Sequence, residues 1–366
     1  MRTGIAALPL HTGHAPRWLF ERMARLGRAI LLVLVEEFGP QEVLRRLADP
    51  FWFQALGCVL GFDWHSSGVT TTVCGALKEG LRDVSYEIGL FVAGGKGRIS
   101  RQTPQEILRV AERIGLPADP LIYASRMAAK VDSAAVQDGY QLYHHTFLFT
   151  REGAWAVIQQ GMNPMTRYAR RYHWLSDQVL SFVCEPHLAV CCDRKGKVLN
   201  LVAQESEKAR EVITDLSREE PGRIEREWEK VLSLHLPPHH EVRMEEIHPK
   251  RLSSILLQTY EAQPPTFESL LGLQGVGPRT LRALALIAEL IYGTPPSFRD
   301  PARFSFAHGG KDGHPYPVDR RTYDQSIAVL EHAVMRSRTS PGEKDGALRR
   351  LMNFLQGAAF LTSSGP

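Results

Sequence analysis

The sequence predicts an α+β fold in two parts: a mixed domain over residues 1–215, in which helices surround a small sheet, and an all-α domain over residues 216–366. Three observations predict it. Much of the first hundred residues repeats apolar side chains at three- and four-residue spacing, the period of a helix with one buried face. Further on, short runs rich in aromatic and β-branched residues follow one another across glycine-containing turns, the pattern of paired strands. Then "ESEKAREVITDLSREEPGRIEREWEK" brings charge and proline, which mark connections better than cores, and only helical patterns come after it.

In chain order, "APRWLFERMARLGRAILLVLVEEFG" reads as a helix with Pro16 in its first turn, Leu19, Met23, Leu26 and Ile30 on its apolar stripe, and Gly39 as its stop. In "GFDWHSSGVTTTVCGALKEGL", Ser66 or Ser67 caps a helix, and Gly68 to Thr72 offers amides and hydroxyls to an anion, although a cap alone also explains the stretch. "RQTPQEILRVAERIGL" carries Thr103, Pro104 and Glu106 as a capping box, with Gly115 closing the helix. "LYHHTFLFT" and "AWAVIQQGM" are joined by "REG" as a hairpin. Asn163 and Pro164 open a helix with Arg167, Arg170, Arg171 and Trp174 along one face and Tyr168, Tyr172 and His173 interleaved. "LSFVCEP", "LAVCCD" and "KVLNLVA" add strands, the last two linked across "RKGK". In the second part Thr266 caps a short helix ending near Leu271, Gly275 and Gly277 form a turn with unusual backbone angles, and Pro278 opens a helix running to Gly293.

At 366 residues, 43% hydrophobic and 23% charged, the chain can bury two cores of ordinary size. Its most apolar early stretch, "AILLVLVEEFG", is shorter than the roughly 20 residues of a membrane helix and meets Glu36 and Glu37 at once. Pro9, His11 and His14 interrupt the start before a signal-type segment forms, so a cytoplasmic protein with no membrane partner is expected. Five cysteines without a CxxC pair argue against a disulfide framework and a zinc ribbon. Cys184, His187, Cys191 and Cys192 come nearest to a metal cluster, and a strand leading into a turn explains them equally well. A net charge of +4 permits an anionic partner without demanding one.

The glycine turn in "LQGVGPRTLRAL" is the first chemical signal. A helix-hairpin-helix exposes backbone N–H groups at a helix N-terminus, where the dipole also favours an anion, so a nucleic-acid phosphate docks without any sequence being read. Gly275, Gly277, Arg279 and Thr280 are the expected DNA-binding residues there, and His308 and Lys311, with Arg320 and Arg321, add cations from the next glycine-rich loop. The alternative is an ordinary helical hairpin. The second signal is the density of polar residues at Asp132, Asp138, His144, His145, Glu152, Gln159 and Gln160. Carboxylates and imidazoles around a divalent metal, Mg²⁺ or Mn²⁺, would hydrolyse phosphodiesters, with Asp138 and His144 as metal ligands and Asp132 and His145 beside them. Because Phe147 and Phe149 share the strand face of His145, His144 is expected on the exposed face. A hydrogen-bonded structural cluster is the alternative. Arg167, Arg170 and Arg171, with interleaved aromatics, suit single-stranded or distorted DNA, and a solvated helix with its aromatic side packed is the alternative.

Two resemblances add to this. "LQGVGPRTLRAL" with "PVDRRTYD" downstream resembles the helix-hairpin-helix DNA glycosylases of the endonuclease III type, which implies a catalytic role for Asp319, after Val318. Arg279 stands near the lyase lysine of that group, and a guanidinium cannot form the Schiff base; the insertion "SFRDPARFSFAHGGKDGHPY" lengthens the spacing to Asp319. Over nearly the whole chain, "MRTGIAALPLHTGHAPRWLFERM", "DWHSSGVTT", "DGYQLYHHTF", "WAVIQQGMN" and "FSFAHGGKDGHPYPVDRRTYD" resemble the family catalogued as domain of unknown function 763. The expected function is a DNA-processing enzyme, a metal-dependent nuclease acting on single-stranded, mismatched or bubble DNA. A base-excision glycosylase of DNA repair using Asp319, and a non-catalytic DNA- or RNA-binding protein, are the alternatives.

Overall fold

A computed structural model describes residues 15–62, 68–192, 195–234, 249–302 and 320–362. Helix α1 (Arg17–Ala48) buries Leu26, Ile30, Leu31 and Leu34 at three- and four-residue spacing. Its expected stop is a kink: Gly39 adopts φ +80°, and Pro40 behind it removes a backbone donor, after which the helix resumes. Asp49 caps α2 (Pro50–Val59) by accepting from the Trp52 N–H at 2.7 Å. Helices α3 (Gly68–Leu81) and α4 (Ser85–Ile88) lead into strand β1 (Leu90–Lys96).

The capping box expected for α5 (Thr103–Ile114) does not form. A 3₁₀ turn precedes the helix, Thr103 is already helical, and Glu106 instead accepts from the Gly94 N–H at 2.7 Å and the Lys78 ammonium at 2.6 Å. Gly115 closes α5 in the left-handed region as expected. Helix α6 (Ala118–Lys130) runs into a π-helical turn over Val131–Ala135 and the short strand β2 (Val136–Gln137).

The hairpin forms as predicted, β3 (Gln141–Thr150) pairing antiparallel with β4 (Trp155–Met162). Beyond β4 the fold differs from the expectation. Residues 169–175 form strand β5 (Ala169–Leu175) and not a helix, so Arg170 and Arg171 point to opposite faces. "LSFVCEP" is irregular. Strand β6 (Ala189–Cys191) pairs with β5, and β7 (Leu199–Asn200) pairs with β2, so the two strands expected to pair across "RKGK" go to different sheets. The main sheet has the order β1-β3-β4-β5-β6 and is antiparallel throughout.

Both faces of that sheet are covered, which explains why its strands lack clean polar alternation. Ile30, Leu56, Ala76, Leu148, Ala156 and Leu351 share one core, on the face covered by α1 to α3 and by the C-terminal helices α12 and α13 placed below. Phe147, Trp174, Leu216, Leu270 and Leu284 share another on the opposite face. That second core is continuous across residue 215, which lies inside α7 (Glu207–Ser217). After α7 come α8 (Pro221–Ser233), α9 (Pro249–Ala262), α10 (Phe267–Gly272), α11 (Pro278–Leu290), α12 (Arg320–Arg336) and α13 (Pro341–Thr362). No described helix is long and apolar enough to cross a membrane.

Candidate nucleic-acid interface

The α10–α11 hairpin arises from its sequence almost residue by residue. Thr266 and Ser269 make a reciprocal capping box at the start of α10. Gly275 adopts φ +87°, a conformation that side-chain-bearing residues rarely take. Gly277 corrects the expectation: at φ −138° it is ordinary extended backbone, the N-cap of α11, with no side-chain cap. Val276 between them is fully buried and anchors the turn.

The turn is clamped from behind. The Lys130 ammonium donates to the Val276 carbonyl at 2.5 Å, Gln137 Nε2 to the Pro278 carbonyl at 2.8 Å, and Arg282 Nε to Gln137 Oε1 at 2.7 Å. These carbonyls are held by side chains of the protein itself, whereas the first N–H groups of the 13-residue α11 have no helical acceptors. Gly275, Gly277, Arg279 and Thr280 meet there in one groove of about 300 Å³, lined also by Arg251, Leu252, Ile255 and Pro278. Arg251 and Arg279 are exposed and, among the described residues, no acid lines the groove, so cations and the positive end of a helix dipole share the same space. Arg251 was not legible as a site residue. Its one signal is position: Lys250 and Arg251 occupy the first turn of α9, the end a helix dipole makes unfavourable for cations. His308, Lys311 and Asp319 lie outside the described residues, as do Ser66 and Ser67, and the side chains of Arg320 and Arg321.

The polar middle cluster is resolved into two buried networks on opposite faces of the sheet. One transverse row runs Lys96, His144, Gln160, Arg171, Cys191 and the next runs Gly95, His145, Gln159, Tyr172, Val190, each pairing neighbour to neighbour across the strands. His144 is 1% exposed, contrary to the expected exposed face, because helices cover both sides. In the second network Ser125 Oγ lies 2.8 Å from His145 Nε2, and His145 Nδ1 lies 2.8 Å from Gln159 Oε1. Gln159 Nε2 donates in turn to Asp132 Oδ2 at 2.6 Å. Asp132 also accepts from Trp174 Nε1 at 3.0 Å and lies 2.5 Å from His187 Nε2.

Asp138 sits apart from His144. It accepts from Arg170 at 3.0 Å, from the Tyr172 hydroxyl at 2.6 Å and from the Tyr140 N–H at 3.0 Å. Arg170 reaches Asp300 as well, at 2.7 Å, a partner 130 residues away that no local pattern announces. Burial raises the Asp138 carboxyl, with Arg170 acting in the other direction. Burial opposes the Arg170 charge, but Asp138, Tyr172 and Asp300 outweigh it and lift its pKa well above the ordinary value. On the far face, burial brings Arg171 down to about 10, and its guanidinium donates to Gln54 and Thr70 at 3.3 and 3.4 Å. Burial, reinforced by His145 and Lys96, lowers His144 to about 3, so the ring is neutral; its Nδ1 is buried without a hydrogen bond.

The structure thus separates Asp138 from His144, the pair expected to hold a metal, and among the described residues no three His, Cys, Asp or Glu side chains gather as a metal site. His187 bonds to Asp132, and Cys192 lies 3.1 Å from the Tyr140 hydroxyl, while Cys191 faces Arg171. Arg167 is exposed, in a turn closed by the Asn163 side chain, well away from the buried Arg170 and Arg171.

The family model described as protein of unknown function (DUF763) matches residues 4–318, a span holding the whole sheet and the α10–α11 hairpin. The chain belongs to the DUF763 family. No curated protein and no solved structure matches it. The DUF763 match ends before α12 and α13.

Proposed function

We propose that this protein binds DNA by its backbone through the α10–α11 hairpin, as the gripping part of a DNA-processing activity. The observation that carries the reading is the convergence of Gly275, Gly277, Arg279 and Thr280 with Arg251 on one groove at the start of α11. A phosphate there would accept from backbone N–H groups and be flanked by two guanidinium groups, with no base edge involved. Affinity should therefore be insensitive to sequence and fall steeply with salt. The test is fluorescence anisotropy of labelled duplexes of unrelated sequence over a salt series. Gly277→Val fills the groove without backbone strain, since a Cβ there would find its nearest neighbour, the Gly275 carbonyl oxygen, at 3.8 Å. It should abolish most binding, and affinity that ignored both salt and this substitution would sink the proposal.

Strand chemistry is a second reading, favoured by the shifted, buried groups on the sheet, because such groups cluster at functional sites. Incubation of bubble and mismatched DNA with Mg²⁺, Mn²⁺ or EDTA, read on denaturing gels before and after alkali, separates its forms. Metal-dependent cuts would indicate a nuclease, breaks only after alkali a glycosylase acting through Asp319, and intact strands a binding protein alone.

A further inference from the structure

We infer that the groove between α6 and the 176–182 segment is a stacking subsite for an unpaired nucleobase, serving the strand whose backbone the hairpin holds; this rests on the proposed hairpin function. Asp119, Pro120, Tyr123, Ala124, Trp155, Ser176, Val179 and Phe182 line an open groove of about 510 Å³, inside the size range of small-molecule pockets. Its interior is a ladder of rings. Phe147 and Trp155 lie 5.8 Å apart at 21°, Trp155 and Phe182 6.0 Å apart at 7°, and Phe182 meets Tyr123 edge-on at 5.6 Å. Trp155 and Phe147 are buried, whereas Tyr123 is 45% exposed, so the ladder starts in the core and ends at the surface.

The occupant is argued from charge and from continuity with the hairpin. Asp119, exposed at the rim, repels a phosphate from the groove itself, and the rings favour a flat uncharged group. Along α6, Tyr123, Arg126 and Lys130 recur at the three- and four-residue spacing of one helix face. Arg126 is exposed and makes no ion pair among the described residues, which leaves it for a phosphate; Lys130 ends the stripe behind the hairpin turn, where it holds the Val276 carbonyl. From Tyr123 to Lys130 is roughly 10 Å at 1.5 Å per residue, about three base steps of 3.4 Å. The Tyr123 hydroxyl also donates to Glu268 of α10, tying groove and hairpin together. Leu180, wholly exposed beside the groove, is of the residue type that wedges into an opened base step. Charge and geometry together fit a distorted duplex with one base turned out, more closely than an apolar peptide.

The test uses the full chain and a duplex carrying a three-nucleotide bubble with 2-aminopurine at its centre, against the same duplex fully paired. The wild type should prefer the bubble and quench the 2-aminopurine. Tyr123→Ala should lower bubble affinity by about fivefold or more, from the worth of stacking one base, and lower paired-duplex affinity by clearly less. Tyr123→Phe, which keeps the ring and loses the Glu268 bond, should retain the preference, and Leu180→Ala should weaken it with the fold untouched. Bubble binding and quenching by Tyr123→Ala equal to wild type would overturn the subsite while leaving the hairpin function intact. A wild type that bound neither duplex, or Gly277→Val binding both as the wild type does, would overturn the hairpin function and the subsite with it.

Discussion

The sheet and the hairpin both carry the residue types that suggest chemistry, and they use them in opposite ways. On the sheet, the side chains of Asp132, Asp138, His145 and Arg170 are each engaged by neighbours inside the protein and shielded from solvent. At the hairpin, Arg251 and Arg279 are exposed, and the start of α11, whose first N–H groups have no helical acceptors, lines the same groove. Polar density alone is therefore a poor guide to a site. A buried ion pair answers mainly for itself, because two charges taken from water must satisfy each other, whereas exposed cations beside a helix N-terminus remain available to a partner.

The largest test of this contrast is Arg170→Met. It leaves Asp138 and Asp300 buried and facing one another, and should cost about 3–5 kcal/mol of stability in urea unfolding. Whatever fraction stays folded should bind DNA normally. A loss of DNA affinity without a loss of stability would instead place Arg170 in the interface and break the comparison. Next comes Lys130→Met, which takes the charged donor from the Val276 carbonyl and should cost about 1.5–3 kcal/mol. Because Lys130 holds the turn, this substitution should lower DNA affinity as well as stability, and so links the two regions.

The third test concerns protons. His173 is buried, and burial with Arg171 beside it lowers its pKa well below 6.5, a weak backbone contact with Ala48 acting the other way. Below pH 6.5 the unfolded chain therefore takes up a proton that the folded chain refuses. Stability is fully present above that pH and falls as the pH is lowered, by about 1.4 kcal/mol per pH unit for each such histidine. His144 and His145 act in the same direction; Asp138, raised by burial, acts in the opposite one. Comparing the wild type with His173→Phe cancels the shared contributions, and the mean slope between pH 6.5 and 5 should flatten by about 1.1 kcal/mol per unit, approaching about 1.4 at the acid end. An unchanged slope would mean that His173 is protonated in the folded state.

How legible the molecule was in its sequence obeys the same division. The hairpin was readable because its signals are local: Thr266 as cap, Gly275 where φ is positive, and Pro278 opening the next helix. The strand β5 was not. With helices on both faces of the sheet, "ARRYHWL" carries polar and aromatic groups on both sides and lacks the alternation that marks a strand, while Arg167, Arg170, Arg171 and Trp174 also fit a helical face. Nor was the fate of Asp138, decided by Arg170 at a distance of 32 residues, or that of Arg170, shared with Asp300 at 130. Glu106 shows the same effect, since the residue that completes a capping-box pattern was drawn away by Lys78, which lies 28 residues before it.

The smallest expected change in stability belongs to Arg279, on which the proposed function leans most. Arg279 is exposed, so Arg279→Ala should shift the unfolding free energy by less than about 0.5 kcal/mol. Its effect belongs in binding: affinity should drop for every DNA sequence alike, and the slope of log affinity against log salt should lose about one unit, the mark of one phosphate contact. If Arg279→Ala changed affinity for some sequences and spared others, the guanidinium would be reading bases. The groove would then be a recognition site, and the backbone donors at the start of α11 would be secondary to it.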